Sequence, residues 1–97
     1  MNCGGILTDS ETYTVLLERR AEREFRKLPS DVMARLDVVF RELADNPRPS
    51  GVVKLSGQMG PGWRVRVGEY RVLYRVDDDQ HRVEIYRIKH RREAYRP

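Results

Sequence analysis

The chain has one cysteine, two histidines and one tryptophan among its 97 residues. A lone Cys3 closes no internal disulfide, and Cys and His never recur at metal-ligand spacing, so neither a disulfide scaffold nor a zinc site is expected. Apolar runs are short. None approaches the ~18 residues that a membrane-spanning helix requires, and Met1 to Ser10 has neither the basic start nor the apolar centre of a secretion signal. A reducing cytoplasm is the setting these absences point to. Repeats and low-complexity tracts are also missing. The expected organisation is one domain over residues 12–97, preceded by a loose extension over 1–11 that contains Cys3-Gly4-Gly5 and Asp9-Ser10.

Charge is what the chain has in plenty. Charged residues make up 35% of the sequence, the formal net charge is +4 and the isoelectric point is about 9.6. Through Gly60, nine Lys and Arg are balanced by nine Asp and Glu; from Pro61 onward there are ten against six. The whole excess therefore lies in the C-terminal third. Three of those six acids, Asp77, Asp78 and Asp79, share one turn, so the rest of that third is strongly basic and suits a phosphate-contacting surface.

Within that third, Gly62 to Val76 (GWRVRVGEYRVLYRV) alternates apolar and polar positions on both sides of Gly68-Glu69. This is the pattern of a two-residue hairpin with glycine first, the type II′ signal. Closing it sets Val67 opposite Tyr70, Val65 opposite Val72 and Trp63 opposite Tyr74, an apolar ladder in which Tyr70 and Tyr74 read as core and Trp63 as core or rim anchor. The other face carries Arg64, Arg66, Arg71 and Arg75. Arg66 and Arg71 are directly opposed, an arrangement that costs some tenths of a kcal/mol unless an anion lies between them. Two readings stand here: an exposed face solvated by arginines, or a site for an anion.

Upstream, Thr12 to Leu17 reads as a first strand. Ala21, Phe25 and Leu28 then recur at helical spacing among Glu and Arg, giving a helix from Glu18 to Lys27 that Leu28-Pro29 ends. Ser30 is the expected N-cap of a second helix, with Asp31 near its positive end and Val32, Leu36, Val39, Phe40 and Leu43 on one face. Pro47 and Pro49 stop it beyond Asp45-Asn46. In the connector from Ser50 to Pro61, Val52 to Leu55 has the makings of a brief edge strand. After the turn at Asp77 to His81 comes a last strand, Arg82 to His90. Pairing Val76 with Val83 sets Arg75 opposite Glu84 and Leu73 opposite Tyr86, with Ile88 and His90 on the arginine face and Arg87 and Lys89 as misfits on the helix side. The expected fold is α+β: a small antiparallel sheet in the order β-α-α-β-β-β, an N-terminal helix hairpin on one face and the arginines on the other.

The chain resembles the RelE/ParE superfamily of toxin–antitoxin toxins, and within it the RelE-type messenger-RNA endonucleases. The resemblance covers roughly Tyr13 to Arg96. Its carriers are A-x-x-x-F-x-x-L-P from Ala21 to Pro29, L-x-x-N-P-x-P from Leu43 to Pro49, K-L-x-G from Lys54 to Gly57, R-V-G-E-Y-R-V-x-Y from Arg66 to Tyr74, and H-R-R-E-x-Y from His90 to Tyr95. It implies a toxin of a type II toxin–antitoxin system that cleaves messenger RNA in the ribosomal A site, a ribose 2′-hydroxyl attacking the adjacent phosphate. The implied partners are a cognate antitoxin and the ribosome, with no membrane, metal or small-molecule cofactor involved.

Carried over by motif, the resemblance assigns catalysis to Arg64, Arg66, Arg71, His90, Arg91 and Tyr95, and further RNA contacts to Lys54, Arg75 and Arg92. Fixed guanidiniums suit a phosphorane-like dianion. Relatives often carry lysines where this chain has Arg64 and Arg66, and arginine cannot accept the proton. That leaves His90 as the expected base, or else a strand-end surface residue, and Tyr95 as leaving-group acid or stacking platform. Two other functions fit the same fold: a ParE-like poison of DNA gyrase, and a nucleic-acid-binding relative without catalysis.

Overall fold

The computed structural model describes residues 12–55 and 62–90. The extension expected over 1–11 and the tail residues Arg91, Arg92 and Tyr95 lie outside the described residues. The chain runs β1 (Thr14–Leu17), α1 (Arg19–Arg26), α2 (Ser30–Asp45), β2 (Val53–Leu55), β3 (Gly62–Val67), β4 (Tyr70–Asp77) and β5 (Arg82–His90). The strands form one sheet in the order β1-β5-β4-β3-β2. Every neighbouring pair is antiparallel except β1 with β5, which is parallel. The α+β expectation holds, with Val53–Leu55 added as a short edge strand.

Both helices follow their apolar spacing. Ala21 on α1 and Leu36, Phe40 and Leu43 on α2 are buried, and the Phe25 and Phe40 rings meet 5.9 Å apart, which ties one helix to the other. Ser30 is the first helical residue rather than the cap. Pro29 occupies the capping position with extended backbone and no side-chain hydrogen bond, because proline's fixed φ already suits a helix entry. Asp31 sits in the first turn as expected.

The β3–β4 hairpin has the register its turn dictates: Trp63 with Tyr74, Val65 with Val72, Arg66 with Arg71 and Val67 with Tyr70. Gly68 carries the positive φ of 60° that this turn demands of its first residue. Val72, Tyr74, Val83, Ile85 and Ile88 meet the helices as the sheet's half of the core. Tyr74 is fully buried, and its hydroxyl donates to the Pro47 carbonyl at 2.7 Å. Burial pushes that phenol up to about 12.

The strand β5 departs from the expected alternation. Val76 pairs with Val83 and Arg75 with Glu84 as anticipated, but Tyr74 pairs with Ile85 while the next residue, Leu73, pairs with Arg87. Tyr86 is thus an extra residue, a β-bulge that shifts the strand's alternation by one. The consequence is a correction. Ile88 and His90 face the helices, paired with Val72 and Tyr70, and Arg87 and Lys89 turn to the arginine face. The two misfits of the sequence reading were products of an unbulged register.

Candidate nucleic-acid interface

The sheet face away from the helices is built by strand register. Arg66 on β3 pairs with Arg71 on β4, and Arg71 pairs with Lys89 on β5, so three cations lie side by side in one row across three strands. The adjacent row reads Val53, Arg64, Leu73 and Arg87. Directly opposed residues on one sheet face stand ~4.5 to 5.5 Å apart at Cβ, so the three-cation row spans roughly 10 Å, enough to engage one phosphodiester and the sugar beside it. Among the described residues, no carboxylate pairs with Arg64, Arg66 or Lys89. Charge of one sign held at this spacing by the backbone favours an anion between the side chains.

The other cations of the face are already engaged. Arg75 meets the Glu18 carboxylate and lies over the Tyr86 ring, with its guanidinium carbon 4.4 Å from the ring centroid. Arg87 donates from Nε to Glu24 Oε2 at 3.0 Å, reaching around the edge of β5. Glu84 lies 3.5 Å from Arg82. These pairs frame the row of Arg66, Arg71 and Lys89 with local neutralisation. The surface is therefore not uniformly basic but focused on Arg64, Arg66, Arg71 and Lys89.

Tyr86 supplies an aromatic surface on this face, where its expected pairing with Leu73 also sets it, although Leu73 in fact pairs with Arg87. Its hydroxyl lies 3.2 Å from where a Cβ on Gly62 would stand, so the absent side chain at Gly62 lets the ring lie across the start of β3. The bulge at Tyr86 has a signal in the sequence. Apolar positions fall at 83 and 85 and then at 88, and a switch of parity inside one strand is the mark of a bulge.

Two expected site residues lie elsewhere. His90 is on the helix side, its ring set edge-on against Tyr70 at 4.9 Å and its Nε2 3.9 Å from a Glu69 carboxylate oxygen. There it borders a cavity of about 350 Å³ together with Glu24, Lys27, Leu28, Tyr70 and Ile88. Lys54 pairs with Trp63 and places its ammonium 6.0 Å from that ring, so it too is on the helix side; Arg48 approaches the same ring at 5.6 Å. Of the expected residues that are described, the structure brings together Arg64, Arg66 and Arg71, keeps Arg75 at the border of the same face, and separates His90 and Lys54 from them. No group of His, Cys, Asp and Glu able to hold a metal ion occurs among the described residues. Nor is any helix there long and apolar enough to cross a membrane.

Known proteins share this fold. Residues 15–95 match the family model described as the ParE toxin of type II toxin-antitoxin systems, parDE. The protein named Toxin RelE of Mycobacterium tuberculosis is 35% identical over 91 residues, covering 93% of each chain. Toxin RelG of the same organism is also 35% identical, over 87% of this chain and 97% of its own. Among solved structures, the archaeal RelE–RelB complex from Pyrococcus horikoshii superimposes with a TM-score of 0.73 at 28% identity, covering 82% of this chain and 96% of the other. A match over most of the chain in sequence and in fold settles the family: this protein is a RelE-like toxin of the RelE/ParE superfamily of type II toxin–antitoxin systems.

Proposed function

We propose that the protein is a ribosome-dependent endoribonuclease that cuts messenger RNA by attack of a ribose 2′-hydroxyl on the adjacent phosphate, and so inhibits translation in the cytoplasm. The observation that carries this reading is the row of Arg66, Arg71 and Lys89, with Arg64 beside it, on a sheet face that the helices leave open. In-line attack gathers a second negative charge on the phosphoryl oxygens. Guanidiniums held at fixed cross-strand spacing stabilise that charge more than they stabilise the ground-state diester, and each contributes on the order of 3 kcal/mol in a water-excluded site. Ribosome dependence fits a face whose described residues are chiefly cations, with the single ring of Tyr86, for orienting a flexible RNA. The decoding centre would supply that orientation, where a held near-attack geometry is worth many orders of magnitude in rate.

Arg91 and Tyr95 join the clamp from the tail in this proposal, and Arg75 and Arg92 extend the contacts along the RNA backbone. The partner that restrains the toxin is a cognate antitoxin. Solved relatives include a RelE–RelB complex and the toxin–antitoxin complex RelBE2, and an acidic amphipathic segment would complement this face. The second reading, inhibition of DNA gyrase, draws on the ParE description of the matching family. The end groups of the product distinguish the two. Transesterification leaves a 2′,3′-cyclic phosphate and a 5′-hydroxyl on RNA, whereas intact RNA with blocked supercoiling would replace the nuclease reading with the gyrase one.

A further inference from the structure

The arginine face needs a group that takes a proton, and arginine does not do so at any physiological pH. The position of His90 on the opposite side of the sheet leaves that task open on the face itself. The carboxylates nearby are committed: Glu18 to Arg75, Glu84 to Arg82 and Glu24 to Arg87. Tyr86 lies beneath Arg75. The one remaining titratable side chain in the cation row, among the described residues, is Lys89.

The position of Lys89 is a product of the bulge. Without the extra residue at Tyr86, residue 89 would point to the helices; with it, Lys89 becomes the cross-strand partner of Arg71, which is itself the partner of Arg66. Two devices hold this part of β5 after β1 has left its edge. Glu24 Oε1 accepts the Ile88 backbone N–H at 2.7 Å, and Glu24 Oε2 holds Arg87, two residues before Lys89. Among the described residues, the charged groups beside Lys89 in the strand register are Arg71 on β4, Arg66 one strand further and Arg87 along its own strand. From the helix side, Glu24 of α1 reaches this strand, bound to Arg87 and 4.0 Å from Arg20.

We infer that Lys89, set beside Arg71 by the bulge, is the proton-transfer residue of this site and receives the 2′-hydroxyl proton while Arg66 and Arg71 hold the phosphate. The inference rests on the endoribonuclease reading. In the step, the 2′-oxygen forms a bond to phosphorus as its proton passes to Nζ, and the bond from phosphorus to the 5′-oxygen breaks. The departing 5′-oxygen takes a proton from water, giving a cyclic phosphate and a 5′-hydroxyl, and the ammonium returns its proton to the hydroxide left behind.

The test is single-turnover cleavage on programmed ribosomes over about pH 6 to 9, with wild type beside Lys89→Arg, Lys89→Ala and His90→Ala. Lys89→Arg keeps the charge, the length and the fold but cannot accept the proton. It is expected to bind ribosome-bound RNA within about threefold of wild type and to cleave ~10² to 10⁴ times more slowly, with the alkaline rise of the wild-type profile gone. Added small primary amines are expected to restore part of the rate to Lys89→Ala and none to Lys89→Arg. If wild type cuts and Lys89→Arg cuts at the same rate with the same pH profile, Lys89 has no such role and the endoribonuclease reading survives without it. A wild type that leaves the messenger intact overturns both. Loss of the pH dependence in His90→Ala alone would move the role to His90.

Discussion

Glu24 takes over the edge of β5 where β1 leaves it, its carboxylate accepting the backbone N–H of Ile88 at 2.7 Å. The parallel pairing of β1 with β5 ends at Leu17 and Ile85, and beyond that point the last strand has lost its neighbour on this side. A helix cannot offer backbone groups to a strand edge. A side chain from α1 does so instead, and the same carboxylate binds Arg87 through its other oxygen. This one residue therefore links the helix layer to the part of β5 that carries Lys89 and leads into the tail.

Removing that carboxylate leaves a half-buried backbone donor and a guanidinium without their acceptor. Glu24→Ala is expected to lower stability by about 1 to 3 kcal/mol, and Glu24→Gln, which keeps a carbonyl oxygen for Ile88, by less. Urea unfolding would measure both, and amide exchange at Ile88 should quicken in the alanine variant more than at Val72. An alanine variant as stable as wild type would show that β5 holds its own edge.

The like-charged pair of Arg66 and Arg71 makes a prediction of opposite sign. The two are direct cross-strand partners, so Arg66→Thr should raise stability by about 0.2 to 1 kcal/mol at low ionic strength, through lost repulsion and a side chain suited to a strand. The gain should shrink as salt screens the pair. The same variant should bind RNA more weakly and with a shallower salt dependence. Equal stability at low and high salt would mean that the two guanidiniums already splay apart without cost.

At the opposite end of the sheet, Asp78 in the β4–β5 turn accepts from Arg48 at 2.7 Å and from the Tyr13 hydroxyl at 2.6 Å. Arg48 first, and then Tyr13, hold its carboxyl below the ordinary aspartate range. A folded-state value below the unfolded one means a stabilising contribution that is present above the usual value near ~3.9 and is lost as pH falls through the lowered one. Thermal midpoints of Asp78→Asn should therefore lie below wild type at neutral pH and converge on it in acid. A gap that stays constant down to strongly acidic pH would contradict this assignment.

Much of this arrangement was legible in the sequence. The hairpin from Gly62 to Val76 could be paired residue by residue, because a two-residue turn leaves no freedom of register. The helices followed from the spacing of Ala21 and Phe25 and of Leu36, Phe40 and Leu43. What escaped was decided at long range. The parallel partnership of β1 with β5 joins opposite ends of the chain and leaves no local mark, and the Glu24 contact to Ile88 depends on it. The bulge at Tyr86 does leave a mark, but strict alternation carried through it turns Arg87 and Lys89 into misfits. That single residue moved His90 off the arginine face and Lys89 onto it. Arg64, Arg66 and Arg71 were placed correctly since they belong to the hairpin and owe nothing to β5.

The most direct test of the endoribonuclease assignment is toe-printing of a translated messenger with purified protein, wild type beside Arg71→Ala. Cuts are expected only in messenger in the ribosomal A site, absent from free RNA, and weakened at least ~10²-fold in the variant. Folded, antitoxin-free wild type that leaves the messenger uncut would contradict it, and inhibition of gyrase supercoiling by that same preparation would name the target instead.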